Sequence, residues 1–196
     1  MALSVYARTV CDRRHSGMHG MKDVLSLATI DSRAFRNVMG RFATGVTVVS
    51  FLREGEPAGM TVNAFLSVSM DPPLVLISVR REGGFNAHVE VGSRYGVNVL
   101  SEAQEHLSQH FSSRPVAAAT VPFVDYDGTP LLEGSLAHVI ARVVDIHAAG
   151  DHLLYIGYVE HLWHGAEAKP LIFFTGRYKK IVAHEPALQW NAIDGW

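Results

Sequence analysis

Thr61, Asn63, Ser67 and Ser69 fall at even spacing within Gly59-Met60-Thr61-Val62-Asn63-Ala64-Phe65-Leu66-Ser67-Val68-Ser69. In a regular strand alternate side chains share a face. Thr61, Asn63, Phe65, Ser67 and Ser69 are therefore expected on one side, and Met60, Val62, Ala64, Leu66 and Val68 on the other. Hydrogen-bonding groups repeating every ~6.8 Å can follow the polar edge of an extended ligand, since buried polar groups need partners. Periodicity alone favours a strand whose polar face meets water.

Other chemistries find less support. His106 with His110, and His161 with His164, have spacings that suit a metal, but neither pair carries the Glu or third ligand of a zinc enzyme, and chance accounts for them among eleven histidines. No Gly-x-Ser-x-Gly elbow supports a hydrolase. The single cysteine, Cys11, forms no internal disulfide and suits a reducing compartment. A net charge of −2 without a basic stripe argues against nucleic acid as partner. No apolar run is long enough to span a bilayer, and a cytoplasmic protein is expected.

With 48% apolar and 18% charged residues, the chain can bury one core, and its apolar surplus hints at an oligomer. Residues 1–28 read as a flexible leader, 29–181 as the domain, and 182–196, with Trp190 and Trp196, as a tail. Asp31 or Ser32 caps a helix that Gly40 ends. Gly45–Phe51 is a strand, and Arg53-Glu54-Gly55-Glu56-Pro57 turns it into the polar strand. After Asp71-Pro72-Pro73, the apolar run Leu74–Val79 suits a strand buried on both sides. Asn86–Val91 reads as a short helix and Tyr95–Leu100 as a strand. Ser101 with Gln104 forms a capping box for a helix to Phe111. Residues 112–134 have loop composition. Ser135–Ile146 and Leu153–His161 form a long hairpin across Ala148-Ala149-Gly150-Asp151, and Leu171–Phe174 is a last strand. Many strands, few helices and no Gly-rich strand-to-helix turn point to a closed antiparallel barrel rather than a doubly wound sheet.

The run Gly59–Val75, Gly-Met-Thr-Val-Asn-Ala-Phe-Leu-Ser-Val-Ser-Met-Asp-Pro-Pro-Leu-Val, closely resembles the signature of the short-chain flavin reductases, the reductase components of two-component flavin-dependent monooxygenases. Gly40-Arg41-Phe42-Ala43-Thr44-Gly45-Val46, Gly150-Asp151-His152 and Pro170-Leu171-Ile172-Phe173-Phe174-Thr175-Gly176-Arg177-Tyr178 are similar to the same family, in the same order. Four separated matches say more than one short motif.

The resemblance implies a mainly β fold, the FMN-binding split β-barrel, a Greek-key antiparallel barrel with a few helices. It also implies a homodimer with flavin near the subunit interface, FMN or FAD as flavin, and NADH or NADPH as donor. Thr61, Val62, Asn63, Ser67, Val68 and Ser69 then line the flavin, partly through backbone groups. Arg80 or Arg81, with the N–H groups near Gly84 and Phe85, hold its phosphates. The chain departs from the family here, with Gly83 and Gly84 where small hydroxyl residues are common. His152 with Asp151 contacts the nicotinamide nucleotide, and Arg177 and Tyr178 close the site.

Hydride then passes from nicotinamide C4 to flavin N5, which requires stacking and exclusion of side reactions but no obligatory catalytic acid or base. Backbone N–H groups of the polar strand suit the reduced ring's N1 and O2. Reduced flavin would leave for a partner monooxygenase. The same fold also suits a non-catalytic flavin-binding protein, acting as sensor, carrier or interaction subunit, or an oxidase with tightly held flavin.

Overall fold

The computed structural model describes residues 30–112, 121–165 and 168–182. The expected leader with Cys11, and the tail beyond Val182 with Trp190 and Trp196, lie outside these residues. The chain divides into two units, 1–36 and 37–196. In the first, Asp31 caps the start of helix α1 (Ser32–Met39): its Oδ2 accepts from the Ala34 N–H at 2.9 Å.

The second unit is built from strands β1 (Thr44–Gly45), β2 (Thr47–Arg53), β3 (Glu56–Val62), β4 (Phe65–Met70), β5 (Pro73–Arg80), β6 (Arg94–Val99), β7 (Phe123–Tyr126), β8 (Thr129–Leu132), β9 (Ala137–Ala149), β10 (His152–His164), β11 (Ile172–Phe174) and β12 (Arg177–Lys179), with helix α2 (Glu105–Phe111). Seven strands form one antiparallel sheet in the order β3-β2-β6-β9-β10-β5-β4. Its two outermost strands, β3 and β4, are consecutive in the chain. The corner at Asn63-Ala64 carries the backbone from one edge to the other, which closes the barrel without a long crossover.

That corner corrects the expected single strand over Gly59–Ser69. Met60 and Val62 pack inward, but after the corner Phe65 does so, while Leu66 and Val68 are exposed. The interior face switches from even to odd residues because the chain leaves its pairing with β2 and takes up pairing with β5. A bulge at Val68, between Ser67 and Ser69, breaks the period again.

The strand buried on both faces is β2, not β5. Val49 and Phe51 enter one core cluster with Ile77, Phe85, Tyr95 and Tyr155, whereas Val48 enters the other with Leu100, Leu107, Leu132 and Leu171. On β5 only Val75, Ile77 and Val79 are buried; Leu74, Leu76 and Ser78 on its outer face are half-covered.

Three further differences have local causes. Residues 84–87 make a single 3₁₀ turn instead of a helix to Val91, because the Asn86 side chain bonds backward to Arg80 O and Arg81 O. The stretch expected as loop holds the β7–β8 hairpin, whose Asp127 and Gly128 both have positive φ, the type I′ geometry that Asp-Gly favours. After β11 the chain turns on Thr175 and Gly176 in the same geometry and returns as β12, which carries Arg177 and Tyr178.

The long β9–β10 hairpin, the Glu54-Gly55 turn and the capping box stand as expected, the Ser101 N–H donating to Gln104 Oε1 at 3.1 Å.

Candidate functional site

Two neighbouring features of the barrel collect most of the expected site residues. One is a cavity of about 570 Å³, within the size range of small-molecule sites. It is lined by Thr61 and Asn63 from the end of β3, by Ser108, Gln109 and Ser112 from α2 and the residue after it, and by Phe173, Gly176 and Tyr178 from the β11–β12 hairpin. Residues far apart in sequence meet there through Ser108. Its carbonyl accepts from the Thr61 hydroxyl at 2.7 Å, and its own hydroxyl lies 2.8 Å from the Tyr178 hydroxyl. The Thr61 hydroxyl proton is thus engaged by α2, and Thr61 offers the cavity an acceptor and its backbone. Thr44 Oγ1 and His110 Nδ1, on elements that border the cavity, are buried polar atoms with no partner among the described residues.

The other feature is the strand end formed by β5 and β10. Arg80 is the register partner of His152, and the Arg81 N–H donates to Asp151 O at 3.0 Å. Gly150, with φ of 61°, makes the turn that presents both Asp151 and His152. Asp151 Oδ1 accepts from His152 Nδ1–H at 2.8 Å, which fixes the tautomer and leaves Nε2 available. That bond and, more weakly, Arg80 hold the Asp151 carboxyl below its ordinary value of 3.8.

The turn after β5 is held from beneath. Asn86 Nδ2 donates to Arg80 O at 2.7 Å and to Arg81 O at 2.8 Å, while Asn86 Oδ1 accepts from the Tyr155 hydroxyl at 2.9 Å. Phe85 is fully buried, edge-on to Phe51 and Tyr155 with ring centroids 5.0 Å apart in each pair. Its ring anchors the turn, so only its backbone can meet a ligand. Gly84 opens onto free space, where nothing lies within 4 Å of a would-be Cβ.

The two features adjoin at the barrel corner, since the Ser78 N–H donates to Ala64 O at 3.0 Å, next to Asn63 and two residues before Arg80. Val62 is buried in the core and its carbonyl accepts from the Thr47 hydroxyl at 2.6 Å, so its side chain is not available to a ligand. Ser67, Val68 and Ser69 lie toward the other end of β5, opposite Val75 and Leu74. Arg177 is exposed opposite Phe174.

Ser108, Gln109 and Ser112 were not expected from sequence. The capping box marks their helix, but which of its faces meets the cavity depends on packing between distant segments.

Residues 39–182 match the family model described as flavin reductase like domain. The chain is 42% identical over 149 residues to an NADH-dependent flavin reductase of Rhodococcus sp., covering 74% of this chain and 84% of that one. It is 36% identical over 158 residues to the flavin-dependent monooxygenase reductase subunit HsaB of Mycobacterium tuberculosis, covering 79% and 84%. The solved structure of the flavin reductase PheA2 in its native state superposes with a TM-score of 0.73 at 39% identity, covering 79% of this chain and all of that one.

Proposed function

The chain belongs to the flavin reductase-like family, and from that premise we propose that it is an NAD(P)H:flavin oxidoreductase that supplies reduced flavin to a partner monooxygenase. The observation that carries the reading is the convergence of Thr61, Asn63 and Tyr178 on one cavity beside the strand end that bears Arg80 and His152.

The cavity suits a flavin. It offers a mixed wall of amide, hydroxyl and aromatic groups with two orphaned polar atoms nearby, and the adjoining strand end supplies two arginines for phosphate. Flavin supplies, when bound, the ring that accepts hydride from the nicotinamide. The chain's own part is binding and orientation. Asn63 and the backbone of Thr61 and Val62 hold the ring edge. Arg80, Arg81 and the N–H groups of Gly84 and Phe85 face phosphate. Ser67, Val68 and Ser69 extend the flavin surface along β4.

His152, kept in one tautomer by Asp151, meets the nicotinamide nucleotide, and Tyr178 with Arg177 closes the site against water. No side chain need exchange a proton with the ring.

We also propose a homodimer located in the cytoplasm. On the outer sheet face, Leu66, Leu76 and Ile156 are cross-strand neighbours, and Leu74 and Tyr158 make the next row. Leu66 and Tyr158 are 51% and 41% exposed, an apolar face that a second copy would cover. Sedimentation of wild type against Leu76→Glu tests it: a dimer that dissociates supports the face, and a monomeric wild type excludes it. Among the described residues no helix is long and apolar enough to cross a membrane.

Steady-state oxidation of NADH and NADPH with added FMN and FAD tests the function. Rapid turnover in at least one combination is expected. Flavin binding without turnover in any would leave a non-catalytic flavin-binding protein.

A further inference from the structure

Beneath the β7–β8 hairpin, against β9 and β10, lies a second cavity of about 580 Å³ that shares no lining residue with the first. Leu131, Ile140, Leu162 and Trp163 give it apolar walls. The Trp163 ring stacks on His138 at 5.1 Å, and Tyr126 meets His161 edge-on at 5.3 Å. None of these groups is among those assigned above to the flavin or the nicotinamide nucleotide.

His138 is the buried polar side chain in the wall, 8% exposed. Its Nδ1 lies 2.9 Å from Asn98 Oδ1. The Asn98 amide can face only one way. Its Oδ1 accepts from the Leu132 N–H at 2.7 Å, and its Nδ2 donates to Val48 O and Ser50 Oγ, each at 2.9 Å. A flipped amide would set donor against donor at Leu132. His138 therefore donates from Nδ1, and burial lowers its pKa, which keeps the ring neutral. A neutral ring protonated at Nδ1 carries a bare lone pair at Nε2. That atom has no partner among the described residues, and His138 lines the cavity.

We propose that this cavity binds a small neutral aromatic molecule with one hydrogen-bond donor, of which phenol is the simplest, its ring against Trp163 and Leu162 and its O–H donating to His138 Nε2. The acceptor selects a donor, the aromatic walls select a ring, and Asp125 and Glu133 in the lining reject an anion. The two cavities being separate, such a ligand does not compete with flavin.

The test is a titration of the full-length protein with phenol, benzene and benzoate. It is followed in long-range ¹⁵N-histidine spectra and by the fluorescence lost on Trp163→Phe. The free protein is expected to show His138 as the Nδ1–H tautomer. Phenol should move its Nε2 resonance saturably and quench Trp163. Benzene should bind roughly five- to tenfold more weakly, the worth of one hydrogen bond, and benzoate not at all. His138→Phe should bring phenol to the level of benzene, with the KM for FMN unchanged by phenol in wild type. A proton found on Nε2, no saturable response, equal responses to all three probes, or competition with FMN would each overturn the proposal. So would a response that appears only on dissociation of a dimer, which would make the cavity a subunit contact.

Discussion

His152 stands directly opposite Arg80 in the ladder between β5 and β10, and one residue further on the Arg81 N–H is bonded to Asp151 O. A residue expected to meet the nicotinamide nucleotide and one expected to meet flavin phosphate are thus fixed to each other by backbone pairing. Strand ends held in a ladder position side chains more tightly than a free loop does. Asn86 completes the arrangement by tying the Arg80-Arg81 carbonyls to Tyr155.

Removing the cation separates phosphate recognition from ring recognition. Arg80→Ala or Arg81→Ala is expected to raise the KM for FMN about tenfold, corresponding to ~1.5 kcal/mol for a charge-assisted bond, and to leave riboflavin, which has no phosphate, unchanged. Asn86→Ala should act in the same direction by loosening the turn. Initial rates with the two flavins check both, and equal effects on FMN and riboflavin would contradict the assignment.

Ser108 joins α2, β3 and β12. Ser108→Ala retains the carbonyl that Thr61 uses but leaves the Tyr178 hydroxyl without this partner. A stability loss of about 1 kcal/mol is expected in urea unfolding, with a severalfold rise in flavin KM and little change in kcat. Tyr178→Phe should reproduce the stability loss, since it removes the other half of the same bond.

Much of this was legible in the residues. Gly150-Asp151 announced a turn, and the Val-rich run of β2 and the Ser101-Gln104 capping box marked their elements. The polar strand was visible as chemistry but not as geometry, because the corner at Asn63-Ala64 leaves no mark in a pattern of period two. Asp127-Gly128 carried a hairpin signal that the loop-like composition around it concealed. The last strand read at Leu171–Phe174 stands as β11, but its three-residue partner β12 is too short to show any period. Ser108 was invisible for a different reason: its partners lie 47 and 70 residues away, and nothing local reports such packing.

Gly157 exists for Tyr95. A methyl group there would overlap the Tyr95 hydroxyl and come within 2.9 Å of Ala141 Cβ. Gly157→Ala should cost about 1–3 kcal/mol through overpacking. The Tyr95 hydroxyl is buried without a partner among the described residues, and burial pushes its pKa up. Tyr95→Phe should therefore be neutral or mildly stabilising, and in the double variant it should recover part of the Gly157→Ala loss. Thermal unfolding of the four proteins gives the cycle.

His138 gives the stability a defined pH dependence. Burial places its folded-state pKa below the ordinary value of 6.5, so below pH 6.5 the unfolded chain binds a proton that the folded chain refuses. Its contribution is fully present above pH 6.5 and is lost as pH falls toward the depressed folded value. The Tm of wild type should fall more steeply than that of His138→Phe as pH is lowered from 7 through this window. Parallel curves would place the titration elsewhere.

The central claim is that one site takes flavin at Asn63 and the nicotinamide nucleotide at His152. Initial-rate NADH oxidation with FMN, measured for wild type, Asn63→Ala and His152→Ala, tests it most directly. The expected result is rapid turnover by wild type, a flavin KM raised about tenfold by the first variant, and an NADH KM raised by a similar factor by the second. Wild-type protein that oxidises neither NADH nor NADPH with any flavin, or variants that leave both constants unchanged, would contradict it.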